Sequence, residues 1–189
     1  MWEIIIFLAT IVLAIMLIKK LPVDLVPEDK TSDKEDDKEK SLRELADDYI
    51  EAGQLKRAEH VLLRIISAEP EDASTYNKLG MIYLQDKNFK DARASLKQAL
   101  KLEPENDTFY NNMGLLSYQR GDYEDAIEAY EKSVEIDNKI PSRLVNLGMA
   151  YFMTKKYRKA ADQFEKALIL DPRNESYADL LKQAEEKLA

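Results

Sequence analysis

The sequence predicts an all-α chain: an α-solenoid of four stacked helix pairs with a capping helix, preceded by a single transmembrane helix and a charged linker. Leu79-Gly80, Met113-Gly114 and Leu147-Gly148 recur at intervals of 34 residues, with Ala46 in the same register at the start. Within each interval apolar residues fall three and four apart, as in Leu42, Leu45, Tyr49 and in Tyr123, Ala126, Ile127, Tyr130, which is the pattern of an amphipathic helix. The third observation is the apolar run Ile4 to Ile18, which carries no charge.

That run, IIIFLATIVLAIMLI, has Thr10 as its one polar side chain, and a threonine hydroxyl can bond a carbonyl one turn back. At 1.5 Å per residue it covers roughly 22 Å of a hydrocarbon layer about 30 Å thick. Its flanks extend it: Trp2 suits the headgroup region, and Lys19 and Lys20 can lay their methylenes along the apolar layer with the ammonium groups in water. The predicted span is residues 1–21. A cleaved secretory signal would need a basic segment before the run and small residues after it, whereas Glu3 precedes it and Lys-Lys-Leu-Pro follows. The two lysines on its C-terminal side predict an outside N-terminus and repeats in the cytoplasm, an arrangement suited to a bacterial inner membrane.

Residues 22–38 are predicted to be a disordered linker, dense in mixed charge, with Pro22 and Pro27 and no aromatic residue. Such a segment reaches at most about 60 Å and spans about 23 Å on average.

Composition limits the function. A net charge of −8, with no clustered stripe of Lys and Arg, argues against a nucleic-acid partner. The absence of cysteine excludes disulfides and thiolate metal sites but leaves the redox compartment open. His60 is the one histidine, so a two-histidine zinc site is ruled out, and its place on the second helix of the first repeat suits a surface residue. Carboxylates alternate with lysines at helical spacing, as in Glu185-Glu186-Lys187, which describes a solvated face. The glycines sit at packing or turn positions, with no phosphate-binding loop. The expectation is a non-enzymatic chain with no cofactor and no metal.

The repeats occupy 39–72, 73–106, 107–140 and 141–174, with a capping helix at 175–188 that turns Tyr177, Leu180, Leu181 and Ala184 inward. The second repeat carries Tyr76, Leu79, Gly80, Tyr83, Ala92, Leu96, Ala99 and Pro104, and the fourth Leu144, Leu147, Gly148, Tyr151, Ala160, Phe164, Ala167 and Pro172. The first is looser, with Leu42, Leu45, Ala46, Tyr49, Ala58, Leu62, Ile65 and Pro70. The third departs at Ser117, Ser133 and Asn138, and Pro141 partly makes up for its missing proline. Over about residues 39–189 this pattern resembles the tetratricopeptide-repeat (TPR) family.

The resemblance implies a right-handed α-solenoid whose concave groove is lined by the first helix of each repeat. Carried over residue by residue, one groove position holds Ile50, Leu84, Tyr118 and Phe152, and a second holds Asp47, Met81, Leu115 and Met149. The flanking amides are Asn77, Asn111, Asn112 and Asn146. Apolar anchors beside side-chain amides suit a protein or peptide partner with an apolar segment, and methionines adapt to varied apolar surfaces. Family members that grip an acidic C-terminal tail use Lys, Arg and Asn; here Arg43 and Lys78 stand beside an acidic Asp47. The layout of span and repeats is also similar to that of inner-membrane TPR adaptors of lipopolysaccharide assembly, although those carry more repeats and a cysteine-ligated metal module. The predicted function is a membrane-tethered adaptor, with self-association into a homo-oligomeric scaffold as the alternative.

Overall fold

The computed structural model describes residues 41–188, which lie within one compact unit, Glu39–Ala189. The predicted span and linker lie outside the described residues. Among the described residues, no helix is long and apolar enough to cross a membrane.

The described residues form nine helices and no strand. The first repeat is α1 (Leu42–Glu51) and α2 (Leu55–Ala68), and the second is α3 (Ala73–Gln85) and α4 (Phe89–Leu102). The third is α5 (Asp107–Arg120) and α6 (Tyr123–Ile136), and the fourth is α7 (Pro141–Met153) and α8 (Tyr157–Leu170). The capping helix α9 runs Glu175–Glu186, slightly shorter than expected, with Lys187 as its C-cap.

Local chemistry sets these boundaries. Ser41 and Glu44 form a reciprocal capping box at the start of α1. Asp72 accepts from the Thr75 N–H at 3.1 Å ahead of α3, and Asn106 accepts from the Phe109 N–H at 3.3 Å ahead of α5. Pro141 opens α7, where its missing N–H costs nothing. Pro70, Pro104 and Pro172 directly follow the C-caps Glu69, Glu103 and Asp171. Inside every repeat the turn needs one left-handed residue, and the same position supplies it: Gly53 (φ 69°), Lys87 (φ 56°), Gly121 (φ 84°) and Lys155 (φ 60°).

The helices of a pair meet at the recurring small residue. A Cβ added at Gly80 would lie 2.8 Å from Leu96 Cγ, one at Gly114 2.5 Å from Tyr130 Cδ1, and one at Gly148 2.5 Å from Phe164 Cε1. The first repeat tolerates Ala46 at this position, buried in the same cluster as Leu62. On the facing helices Ala58, Ala92, Ala126 and Ala160 have no exposed surface. The largest cluster runs from Ala126, Ile127 and Tyr130 through Leu147, Tyr151 and Phe164 to Ala184, with Leu180 and Leu181 packed against it. The cap therefore closes the fourth repeat as its apolar pattern requires, with Tyr177 half-buried.

The departures in the third repeat form a local polar arrangement. Ser133 is fully buried and donates its hydroxyl to the Asp107 carbonyl at 2.8 Å. Arg143, 8% exposed, is ion-paired with Asp107 and, at 3.2 Å, with Asp137, and it donates to Thr108 Oγ1 at 3.1 Å. The guanidinium ties the third repeat to the fourth across the junction that lacks the proline. Removing both carboxylates would leave a buried charge uncompensated.

Candidate peptide-binding groove

Besides its own pair partner, α3 touches α5, and α5 touches α7. First helices meeting first helices along repeats 2 to 4 form the inner side of the stack. Their shared face carries the residues expected there.

Met81, Leu115, Met149, Tyr118 and Phe152 are half-buried, each resting on the core while keeping part of its surface free. Tyr118 meets the ring of Tyr123 edge-on at 5.2 Å, and Phe152 meets Tyr157 in the same way at 5.2 Å. Each ring is thus held by the first residue of the second helix of its own repeat. Burial, with a smaller contribution from Tyr123, pushes the Tyr118 hydroxyl above the ordinary tyrosine range, so it stays a neutral donor and acceptor. Leu84 differs: it is 2% exposed, in a cluster with Ala92, Leu96 and Leu116, and presents no usable surface to the groove. In the first repeat, Ile50 is half-buried at the equivalent place.

The four asparagines pair with one another. Asn112 donates its Nδ2 to Asn77 Oδ1 at 2.7 Å, and Asn146 donates its Nδ2 to Asn111 Oδ1 at 3.0 Å. Each pair spans two adjacent first helices. Asn112 is 8% exposed, whereas Asn77, Asn111 and Asn146 are half-buried. In each pair the amide nitrogen of the first asparagine and the carbonyl of the second are not used by that bond. The edge so formed is one donor and one acceptor, repeated one TPR-length apart, which is the hydrogen-bonding pattern of a peptide group.

The two cations of the lining are not free. Lys78 is ion-paired with Asp47, and Arg43 is ion-paired with both Asp72 and Glu69. The open depression of about 490 Å³ bounded by Arg43, Glu69, Pro70, Glu71 and Asp72 is thereby predominantly acidic. At Asp72 burial works to raise the carboxyl, but hydrogen bonds from Thr75 and Arg43 outweigh it and hold the group below its ordinary range. A strand of neutral amides and apolar rings remains as the main character of the groove.

Outside the groove, His60 is exposed. No group of three or more His, Cys, Asp or Glu side chains among the described residues is arranged to hold a metal ion. The residue that sequence reasoning missed is Arg143, whose only trace in the sequence is the missing proline with Asp107 and Asp137 nearby.

Two tetratricopeptide-repeat family models match the chain, one at residues 43–95 and 78–139 and the other at 141–174. No curated protein sequence matches significantly. Among solved structures the chain is similar to MamA, at 21% identity and a TM-score of 0.70 over 77% of this chain and 80% of that one. It is similar to PilF of Pseudomonas aeruginosa, at 26% identity and a TM-score of 0.69 over 77% of this chain and 68% of that one. A third structure is the first TPR of Spaghetti (RPAP3) bound to the HSP90 peptide SRMEEVD, at 18% identity and a TM-score of 0.59 over 61% of this chain and 92% of that one. With four 34-residue helix pairs, glycine contacts at the expected positions and matches running across nearly all of them, this chain belongs to the tetratricopeptide-repeat family.

Proposed function

We propose that the chain is a non-enzymatic, membrane-tethered adaptor whose inner groove holds an extended segment of a partner protein beside the cytoplasmic face of a membrane. The observation that carries the groove reading is the pairing of Asn77 with Asn112 and Asn111 with Asn146 beside the partly exposed rings of Tyr118 and Phe152. The donor and acceptor that each amide pair leaves unused in its own bond match a ligand backbone, and Met81, Leu115 and Met149 with the two rings match apolar side chains along it. The peptide-bound Spaghetti structure supports a peptide as ligand on this fold. An acidic tail is the wrong class here, because Arg43 and Lys78 are already neutralised.

The test is Tyr118→Ala with Phe152→Ala, compared in partner capture and in thermal melting. Each truncation is expected to cost about 2 kcal/mol of binding if the partner covers the ring, against about 1 kcal/mol for an exposed amide contact. Unchanged capture, or capture lost only in step with melting temperature, would assign both rings to packing.

The tether reading rests on the apolar run Ile4 to Ile18 and on Lys19 and Lys20. Protease added outside intact cells is expected to spare the linker, and cleavage there would reverse the orientation.

Self-association is a second reading, favoured by exposed apolar side chains near the ends of α6 and α8: Ile136, Ile140, Ile169 and Leu170. A strictly monomeric mass for the chain in detergent would remove it.

A further inference from the structure

Of the four turns inside the repeats, the one between α7 and α8 lacks all three devices that its counterparts share out among them: a left-handed glycine, a side-chain N-cap and an acid in the first helical turn. Its left-handed residue is Lys155, where the first and third repeats place glycine. Its N-cap is Lys156, which makes no side-chain cap, whereas Asn88 caps α4 by accepting from the Asp91 N–H. Its first helical turn contains Arg158 and Lys159 and no acid, whereas α4 has Asp91 there and α6 has Glu124 and Asp125. Cations at a helix N-terminus oppose the macrodipole. Four basic residues within five positions, all exposed, therefore add to the positive end of α8.

Partners neutralise this charge only in part. Lys156 is ion-paired with Glu124 at 2.7 Å, and Lys159 lies over the Tyr151 ring at 5.1 Å. Among the described residues Lys155 and Arg158 make no ion pair. The first repeat is also basic at this turn, but there Lys56 is paired with Glu59 and Asp86, and Arg57 lies over Tyr49. Met153, 43% exposed, sits immediately before the basic turn and adds an apolar side chain to it. Clustered cations with an adjacent exposed apolar residue suit an anionic interface that has a nonpolar layer beneath it.

We infer that the turn Met153–Lys159 docks the repeat module onto an anionic lipid surface, with Lys155 and Arg158 facing lipid headgroups and Met153 entering the interfacial layer. This inference rests on the tether reading for the nearness of a membrane. The rest of the chain favours a single docked orientation, because its net charge of −8 repels the same surface. An acidic protein segment is the rival occupant, and the test separates the two.

The chain has no cysteine, so Met153→Cys supplies a unique site for an environment-sensitive fluorophore on the full-length protein. The labelled chain is mixed with vesicles of phosphatidylcholine alone, with vesicles containing phosphatidylglycerol, and with soluble polyglutamate. The expected result is a blue shift with phosphatidylglycerol vesicles only, reversed by high salt. Adding Lys155→Gln and Arg158→Gln is expected to lower the docked-to-free ratio about 25-fold, at roughly fivefold per cation. A label at Glu105→Cys, at the opposite end of the helices, is expected to show no shift. An equal shift on neutral vesicles, no shift on anionic ones, a shift unaffected by the double substitution, or a shift with polyglutamate alone would overturn the inference. Flotation of the unlabelled chain with neutral vesicles reports the tether separately. Failure there with a phosphatidylglycerol-dependent shift would remove the tether and leave the docking turn standing.

Discussion

Replacing Gly114 with alanine separates helix propensity from packing, because the two predict opposite signs. In an open helix interior, alanine is more favourable than glycine by about 1 kcal/mol. At Gly114 the new Cβ would stand 2.5, 2.6 and 2.9 Å from Cδ1, Cε1 and Cγ of Tyr130. That ring is 2% exposed and enclosed by the largest cluster, so it has no room to withdraw. Overpacking of this kind costs about 1–3 kcal/mol. With a stiff buried ring at the upper part of that range, the net expectation is a loss of about 1–2 kcal/mol, and Gly114→Leu is expected to lose more. At Gly80 the obstructing atoms belong to Leu96, a flexible aliphatic side chain first met at 2.8 Å, so Gly80→Ala is expected to lose less. The assay is urea unfolding of fragment 39–189 followed by far-UV circular dichroism, with the slope compared among variants. A Tyr130→Leu background restores the alanine and leucine pairing that Ala46 and Leu62 use, so Gly114→Ala should become less costly there. If Gly114→Ala were as stable as the parent, or the loss were the same in both backgrounds, the close contact would not be what holds this position to glycine.

Other expectations concern the helix ends. Since the Asp72 carboxyl is held below its unfolded value, its stabilisation is fully present above about pH 4 and is lost as pH falls through its folded pKa. Asp72→Ala should cost about 1–2 kcal/mol at neutral pH through the lost cap, with a smaller penalty on acidification than in the parent; equal acid sensitivity in both proteins would assign the transition to other carboxylates. Lys155→Gly should raise stability by about 0.5–1 kcal/mol by relieving a left-handed non-glycine residue. A lowered denaturation midpoint would mean that the lysine side chain stabilises the turn.

The architecture was legible because its causes are periodic. Gly80, Gly114 and Gly148 recur wherever two backbones approach, and proline recurs after the second helix, so a 34-residue ruler finds both. Contacts between repeats were legible only in part. The resemblance puts Leu84 in the groove with Tyr118 and Phe152, but the leucine is taken up in packing with Ala92, Leu96 and Leu116, which the 34-residue period does not reveal. It also places four asparagines at the groove's flank without their pairing: Asn77 with Asn112 and Asn111 with Asn146 lie 35 residues apart and meet across adjacent helices. That offset was present in the sequence, one residue longer than the repeat. Arg143 follows no such rule, since a buried cation needs Asp107, Thr108 and Asp137 brought together by the fold.

The apolar side chains form several separate clusters rather than one core, and the division is uneven. Two small clusters join the second and third repeats, with Leu84, Ala92, Leu96 and Leu116 buried in one and Ala73, Ala99 and Phe109 in the other, while the largest binds the third and fourth repeats to the cap. Such a stack opens in sections, and amide hydrogens report the sections one by one. Protection should therefore be longest in α5 to α8 and shortest in α1, a ten-residue helix in which only Ala46 is buried. Tyr118, Phe152, Asn111 and Asn146 all stand on the slow-exchanging section. A partner bound there would keep its seat while the first repeat frays and re-forms, so that heat or strain entering from the N-terminal side is absorbed before it reaches the ligand.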